Sequence, residues 1–133
     1  MSHIAEIELH IKDLPALRAA CKRIGLEFRE GQQTFLWYAG QRNPCLHAIG
    51  VPGKADAYEI GVVERKDKLP GFGLEYDPFM GGMGLVQLAG KECNRLRQAY
   101  AVEASRNAAK KQGFRVTGER TLENGSIQLV LAK

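Results

Sequence analysis

Basic residues in the last third of the chain have a spacing that could bring them together. If residues 91–112 form one helix, four basic side chains fall within about a quarter of its circumference at about 100° per residue. These are Lys91, Arg95, Arg106 and Lys110. The segment has six basic and two acidic residues, so its net charge of +4 equals that of the whole protein. Such a face could bind phosphates or an acidic partner, and a merely solvated helix face is the alternative.

The segment 70–90 is rich in glycine and ends at the same predicted helix start. Three of its glycines could approach an anion, namely Gly82, Gly84 and Gly90. Backbone N–H groups at a helix start attract anions. An ATP-hydrolysing phosphate loop does not fit, because five residues separate Gly84 from Gly90 and Glu92 follows Lys91. A non-hydrolytic anion site and a loop packed by its aromatic residues both stay open.

Two residue pairs elsewhere could support other chemistry. Cys45 and His47 are two apart on a predicted strand, so they would share a side and could hold a metal or form a thiolate pair. No further ligands follow at zinc spacing, so we predict no metal and no cofactor. Carboxylates could divide acid and base roles, above all the pair Glu75 and Asp77. The other acid–base candidates are Glu59, Glu64 and Asp67. Nothing in the sequence distinguishes these groups from a packed thiol or from carboxylates at a solvated sheet edge, so we predict no catalytic residue.

Periodicity predicts the elements that would position these residues. Residues 5–12 alternate apolar and polar side chains, the pattern of a strand with one buried face. A helix follows, capped by Asp13 and ended by Gly25. The long helix over about 91–112 would end at Gly113.

The remaining segments are predicted to be extended. Three strands are expected at 35–39, 46–51 and 57–63, with turns at 41–44 and 52–54. A short strand is expected near 74–76. At the carboxy terminus, Asn124-Gly125 is the preferred two-residue turn of a β-hairpin.

Together these elements predict one α+β domain over residues 1–133. We expect a single, mostly antiparallel sheet with two helices on one face and a C-terminal β-hairpin. A ferredoxin-like layout is one version, although the strand count is too high for a plain one.

Composition limits the class of protein. The chain has 133 residues, 44% of them hydrophobic and 26% charged, which argues against disorder. No apolar run is long enough to span a membrane. The first ten residues have no basic stretch followed by an apolar segment, so we expect a cytoplasmic protein. The three widely spaced cysteines, Cys21, Cys45 and Cys93, are expected to be reduced thiols.

Several stretches resemble a known family. They are Met1-Ser2-His3 before the first strand, the run 58–62, and the carboxy-terminal runs 98–101, 111–116 and 125–131. Together they resemble the hypothetical chloroplast reading frame thirty-five family, and the segment 66–90 is most similar to its phage-encoded members. The family has no established activity, so the resemblance implies no site residue. It implies a setting beside a small companion protein and an AAA-type ATPase.

These observations leave three functional hypotheses. The first is a non-enzymatic binding or accessory protein that uses the basic helix face to bind a protein, an anionic ligand or nucleic acid. The second is an inhibitor of the kind that phages use against host defence, which sequesters a nucleotide signal. The third is a small enzyme that uses Cys45 or the Glu75/Asp77 pair. A homo-oligomer formed through an open edge strand is compatible with each.

Overall fold

The computed structural model describes residues 4–133, apart from the side chains of Glu8 and Leu9, so Met1-Ser2-His3 lies outside the described residues. The strands are β1 (Ala5–Ile11), β2 (Glu27–Arg29), β3 (Thr34–Trp37), β4 (Gln41–Pro44), β5 (His47–Gly50), β6 (Ile60–Glu64), β7 (Phe72–Tyr76), β8 (Arg115–Thr121) and β9 (Ile127–Ala132). The helices are α1 (Leu14–Arg23), α2 (Leu85–Ala89) and α3 (Asn94–Lys111).

The main sheet has five antiparallel strands in the order β1-β7-β6-β5-β2. One face packs against α1, α2 and α3 around a core that includes Leu17, Ile60 and Leu96. This confirms the predicted α+β class, with a mostly antiparallel main sheet, helices on one face and a carboxy-terminal hairpin, but the strands form three sheets where we predicted one. The strand order is not that of the ferredoxin-like layout, because β1 lies at an edge of the sheet and not between two other strands.

Local signals at the helix ends are confirmed. Asp13 caps α1, since its carboxylate accepts a hydrogen bond from the Ala16 N–H at 3.0 Å. Gly25 and Gly113 follow the helix ends with positive φ angles of 85° and 87°. Glycine has no Cβ to clash in that conformation, so each ends its helix without strain.

Two strands were not predicted. Residues 41–44 were predicted to be a turn but form β4, which pairs with β3. Residues 27–29 form β2 at the sheet edge, paired with β5. Both segments are rich in charged or turn-forming residues, so their composition hid a conformation that comes from pairing with another strand, which is the neighbouring β3 for β4 and the more distant β5 for β2.

The inner hairpin, β3–β4, covers part of the second face of the main sheet. Phe35 is fully buried there and forms a small second core with Cys45 and Ala48. Its ring lies directly over Gly61, where a Cβ atom would come within 2.3 Å of Phe35. Gly61 is therefore required for the close approach of the hairpin.

The carboxy-terminal hairpin, β8–β9, forms a separate two-stranded sheet beside α3. Only Gly125 of the predicted Asn124-Gly125 turn has a positive φ, at 87°. Leu122 donates to Ser126 O at 2.7 Å and accepts from the Gly125 N–H at 2.9 Å. The connection is therefore a three-residue loop with glycine in the left-handed position, not the two-residue turn we predicted.

Candidate functional site

The long helix begins later than the sequence predicts. Residues 91–93 form a separate 3-10 turn, and φ is positive at Gly90, Glu92 and Cys93. Left-handed residues cannot continue a right-handed helix, so α3 starts at Asn94. Lys91 therefore does not lie on the α3 surface, which corrects the predicted four-residue helix face.

The four predicted basic residues have different surroundings. Arg106 is half-buried and forms ion pairs with Glu119 at 2.6 Å and Glu103 at 3.6 Å. Arg95 donates to the Gln87 carbonyl oxygen at 3.1 Å. Lys91 and Lys110 are exposed, and neither has an ion-pair partner among the described side chains. The helix face is thus not a continuous strip of unpaired charge.

Of these four residues, Lys91 lines a groove beside the edge strand β1. Its apolar wall includes Val86 and Pro78, and its charged lining consists of Glu6, Lys91, Glu92 and Arg97. Ala5 and Ile7 of β1 and Tyr76 of β7 complete the lining. The start of α3 therefore meets an edge of the main sheet across a groove of mixed charge.

Arg97 is the best candidate for a ligand-binding group in this groove. Its Nε atom is buried and has no hydrogen-bond partner among the described residues. A buried donor without an acceptor is unfavourable by about 1–3 kcal/mol. Arg97 lies in the first turn of α3, where the N–H groups of Cys93 and Asn94 are already bonded to the carbonyls of Gly90 and Lys91. The donors that the groove offers to an acceptor-rich group are therefore the side chains of Arg97 and Lys91.

Sequence reasoning missed Arg97. It lies off the predicted basic face, and its neighbour Leu96 is fully buried. The only local signal was a basic residue within one turn of a buried cysteine, Cys93. The space in which an acceptor could reach Arg97 exists only because β1 and β7, which come from distant parts of the chain, lie next to this helix end.

The predicted glycine site is not a single cradle. Residues 80–83 form a left-handed turn in which Met80 and Met83 project into solvent. Gly82 is buried inside it, its carbonyl accepts from the Tyr58 N–H at 3.0 Å, and a Cβ would meet Leu85 at 3.1 Å. Gly84 lies near the Lys54 ammonium group. Of the three glycines, Gly90 alone adjoins the groove, through Lys91.

Comparison with known proteins identifies the family. Residues 20–130 match the model of a family described as "Protein of unknown function (DUF1257)". The chain belongs to this family. No curated protein and no solved structure matches it. No helix within residues 4–133 is both long and apolar enough to cross a membrane.

In this member of the family, Cys45 and His47 do not form a pair. Cys45 precedes β5, packs with Phe35 and donates from Sγ to the Gln32 carbonyl at 3.2 Å. His47 lies within β5 between Phe28 and Phe72, and its Nδ1 accepts from the Gly31 N–H at 2.9 Å. The predicted common side is wrong, because only His47 follows the strand alternation.

The thiols are not activated. Burial raises the pKa of Cys45 to about 11 and the pKa of Cys21 to about 12. Burial also raises the pKa of Cys93 to about 12, although the Arg97 charge and a hydrogen bond with Tyr76 act in the opposite direction. All three thiols are therefore protonated near neutral pH, and a thiol is a weak nucleophile.

Three of the candidate carboxylates, Glu64, Asp67 and Glu75, line one pocket with Glu6 and His10, whereas Glu59 and Asp77 do not. Glu75 lies directly opposite Glu6 on β1 and is close to Lys66, whose Nζ is 3.8 Å from its Oε2. Asp77 follows β7 and is fully buried, with Oδ1 accepting from the Phe79 N–H at 2.9 Å. The two therefore do not form an acid–base pair. Among the side chains that the structure describes, no three from His, Cys, Asp or Glu lie close enough together to hold a metal ion.

Glu59 is the most extensively bonded carboxylate of the described chain. Its Oε2 accepts from Arg29 at 2.5 Å and from Gln32 at 2.9 Å. Its Oε1 accepts from the Leu36 N–H at 2.8 Å and from Arg42 at 3.3 Å. Each oxygen is fully used, so Glu59 holds the inner hairpin to the sheet and is not poised to move a proton.

Proposed function

We propose that this protein is a non-enzymatic binding protein that receives an anionic group, a carboxylate or a phosphate, in the groove between β1 and the start of α3. The observation that carries the proposal is the buried Nε of Arg97, which has no acceptor among the described residues. Arginine pairs with carboxylate and phosphate through several N–H donors at once, so a bound anion would remove this deficit.

Electrostatics of the groove narrow the kind of ligand. Lys91 is exposed at its rim, and the start of α3 adds the positive end of a helix dipole. Glu6 and Glu92 also line the groove. These carboxylates would repel a second negative charge, which favours a single anionic group over a polyphosphate or a nucleic-acid backbone.

The chemistry elsewhere in the chain supports binding over catalysis. The thiols have raised pKa values, and the most extensively bonded carboxylate, Glu59, has both oxygens engaged. A nucleophile or general base requires a lone pair that can reach a substrate. Neither Cys45 nor Glu59 meets this requirement.

The resemblance to plastid and phage sequences suggests which molecule supplies the anionic group. We propose that it is an acidic side chain of a cytoplasmic protein partner, either the small companion protein or the AAA-type ATPase. A groove that accepts one carboxylate next to an open strand suits a protein segment better than a free metabolite. An accessory role beside such a motor follows from this proposal.

A thermal-shift experiment tests the anion site. We expect the melting temperature of the wild type to rise with inorganic phosphate and with a short acidic peptide, because both bind only the folded state. Lys91→Gln and Arg97→Gln should abolish the rise. Lys110→Gln is the matched control, since it removes an exposed lysine at the far end of the same helix.

Three outcomes would contradict the proposal. They are no rise in the wild type, an unchanged rise in both groove variants, and an equal loss in Lys110→Gln. Cyclic and linear nucleotides belong in the same panel. A rise with nucleotides alone would favour the alternative of a nucleotide-sequestering inhibitor.

A further inference from the structure

The groove that contains Arg97 runs along an edge of the main sheet. It is lined by Ala5, Glu6 and Ile7, which are three successive residues of β1. Successive side chains of a strand point to opposite faces, so a groove that touches all three borders the edge of the strand and not one face of the sheet. In the described chain β7 is the only strand that pairs with β1, so the outer side of β1 offers backbone N–H and C=O groups to the groove.

The first part of β1 is the part that suits pairing with another strand. Ala5, Glu6 and Ile7 pair with β7 in regular register, whereas the register shifts between Ile7 and Ile11. A register irregularity bends a strand and interrupts its ladder of hydrogen bonds. The regular part of the edge is therefore the part that lines the groove, and it is long enough for a partner segment of about three or four residues.

We propose that the groove binds its partner by strand addition: an extended acidic segment of the partner pairs with residues 5–7 of β1 and places one carboxylate against Arg97. This inference rests on the proposed function and adds how the partner is held. In strand addition, main-chain hydrogen bonds supply affinity and contacts with alternate side chains supply specificity. Here the specific contact is made by the buried Nε of Arg97, which has no acceptor in the described chain.

The side chains on the two sides of the edge specify the charges of the segment. Ala5 and Ile7 point to the face on which α3 packs, so Arg97 meets partner side chains on that face. Glu6 is exposed and points to the opposite face. Neighbouring residues of the added strand also point to opposite faces, so a residue next to the bound carboxylate lies on the side of Glu6. A basic residue there would pair with Glu6. We therefore expect the segment to have an acidic residue next to a basic one.

A capped hexapeptide tests the proposal on the full chain by isothermal titration calorimetry. Its sequence is threonine-valine-lysine-glutamate-valine-threonine, and both ends are blocked, so the glutamate carries its only carboxylate. We expect the peptide to bind the wild type, and we expect Arg97→Gln to weaken binding about tenfold or more, because the charged hydrogen bond is lost. A peptide with glutamine in place of glutamate should show the same loss. Lys110→Gln is the matched control and should bind like the wild type.

Methylation of the peptide backbone separates strand addition from simple capture of a carboxylate. Each of the four central backbone nitrogens is methylated in turn, which removes one donor and leaves the protein unchanged. Alternate N–H groups of an added strand face β1, so two alternate positions should weaken binding about tenfold and the other two by much less. An equal effect at all four positions would overturn the proposal.

Hydrogen exchange measured by NMR locates the paired edge. With saturating peptide we expect amides within residues 5–7 to exchange at least about tenfold more slowly, because they become hydrogen-bonded, and amides of β2 and β9 to keep their rates. Protection of β2 or β9 in place of β1 would overturn the proposal, and so would the absence of peptide binding. If phosphate still raises the melting temperature through Arg97, strand addition alone has failed. If neither phosphate nor peptide binds, the proposed function has failed as well.

Discussion

The inner hairpin and the carboxy-terminal hairpin are both two-stranded and antiparallel, but they are held to the protein in opposite ways. The inner hairpin inserts a fully buried phenylalanine, Phe35, over Gly61 and surrounds the buried carboxylate of Glu59. The carboxy-terminal hairpin is held by half-exposed ion pairs of Glu119 with Arg106 and Arg23, and by a hydrogen bond from Gln98 to the Gly125 carbonyl.

This difference in anchoring determines how firmly each hairpin is held in its position. A hairpin fixed by close packing and a desolvated carboxylate has one position, because any shift leaves a cavity or an unpaired charge. A hairpin fixed by surface ion pairs loses little when those contacts change. The inner hairpin is therefore part of the packed core, whereas the carboxy-terminal hairpin is held mainly by contacts at the surface.

The largest expected effect comes from removing the buried ring. We expect Phe35→Ala to lower the free energy of unfolding by about 3–5 kcal/mol, because it loses buried apolar surface and leaves a cavity over Gly61. Leu122→Ala, at a 43% exposed site in the other hairpin, should cost about 1 kcal/mol or less. Urea denaturation of both variants makes the comparison. Equal losses would show that the hairpins do not differ in anchoring.

The next effect comes from the buried carboxylate. We expect Glu59→Gln to lower the free energy of unfolding by about 3 kcal/mol, because Arg29 and Arg42 lose their shared negative partner. Glu27→Gln is the matched control: Glu27 also pairs with Arg29, but its side chain is 50% exposed and that of Glu59 is 6% exposed. The control should cost less than about 1 kcal/mol.

Urea denaturation curves of Glu59→Gln and Glu27→Gln measure the two free energies of unfolding. A Glu59→Gln protein as stable as Glu27→Gln would mean that the inner hairpin depends on packing alone. In that case the hydrogen bonds of Glu59 would be incidental to stability.

The smallest effect is expected at the surface of the carboxy-terminal hairpin. Glu119→Gln removes the partner of Arg106 and Arg23, and we expect it to cost about 1 kcal/mol because the pairs are partly solvated. The cost should fall further in high salt, which screens exposed charges. Glu123→Gln, in the exposed hairpin loop, should have no measurable effect. A loss at Glu119 as large as that of Glu59→Gln would remove the contrast between the hairpins.

Much of the fold could be predicted because its signals are local. The Asp13 cap, the stops at Gly25 and Gly113 and the alternation of the first strand depend on neighbours within a few residues. The candidate site could be predicted only in part. Lys91 lines the groove as a basic residue at the helix start, but Arg106 is engaged by Glu119, which lies on a strand that follows the helix.

By itself, the sequence determined the α+β class, the helix ends, the presence of a carboxy-terminal hairpin and the excess of positive charge around α3. These depend on backbone preferences and on the 3.6- and 2-residue periods, which neighbouring residues specify. Only the tertiary structure decided that 41–44 is a strand, that Glu59 is buried among four donors and that Arg97 Nε has no acceptor. For Glu59 and Arg97 the reason is that burial and charge pairing are set by residues far apart in the chain, whose approach no local pattern encodes. Residues 41–44 pair with the neighbouring strand β3, and their turn-forming composition concealed that pairing.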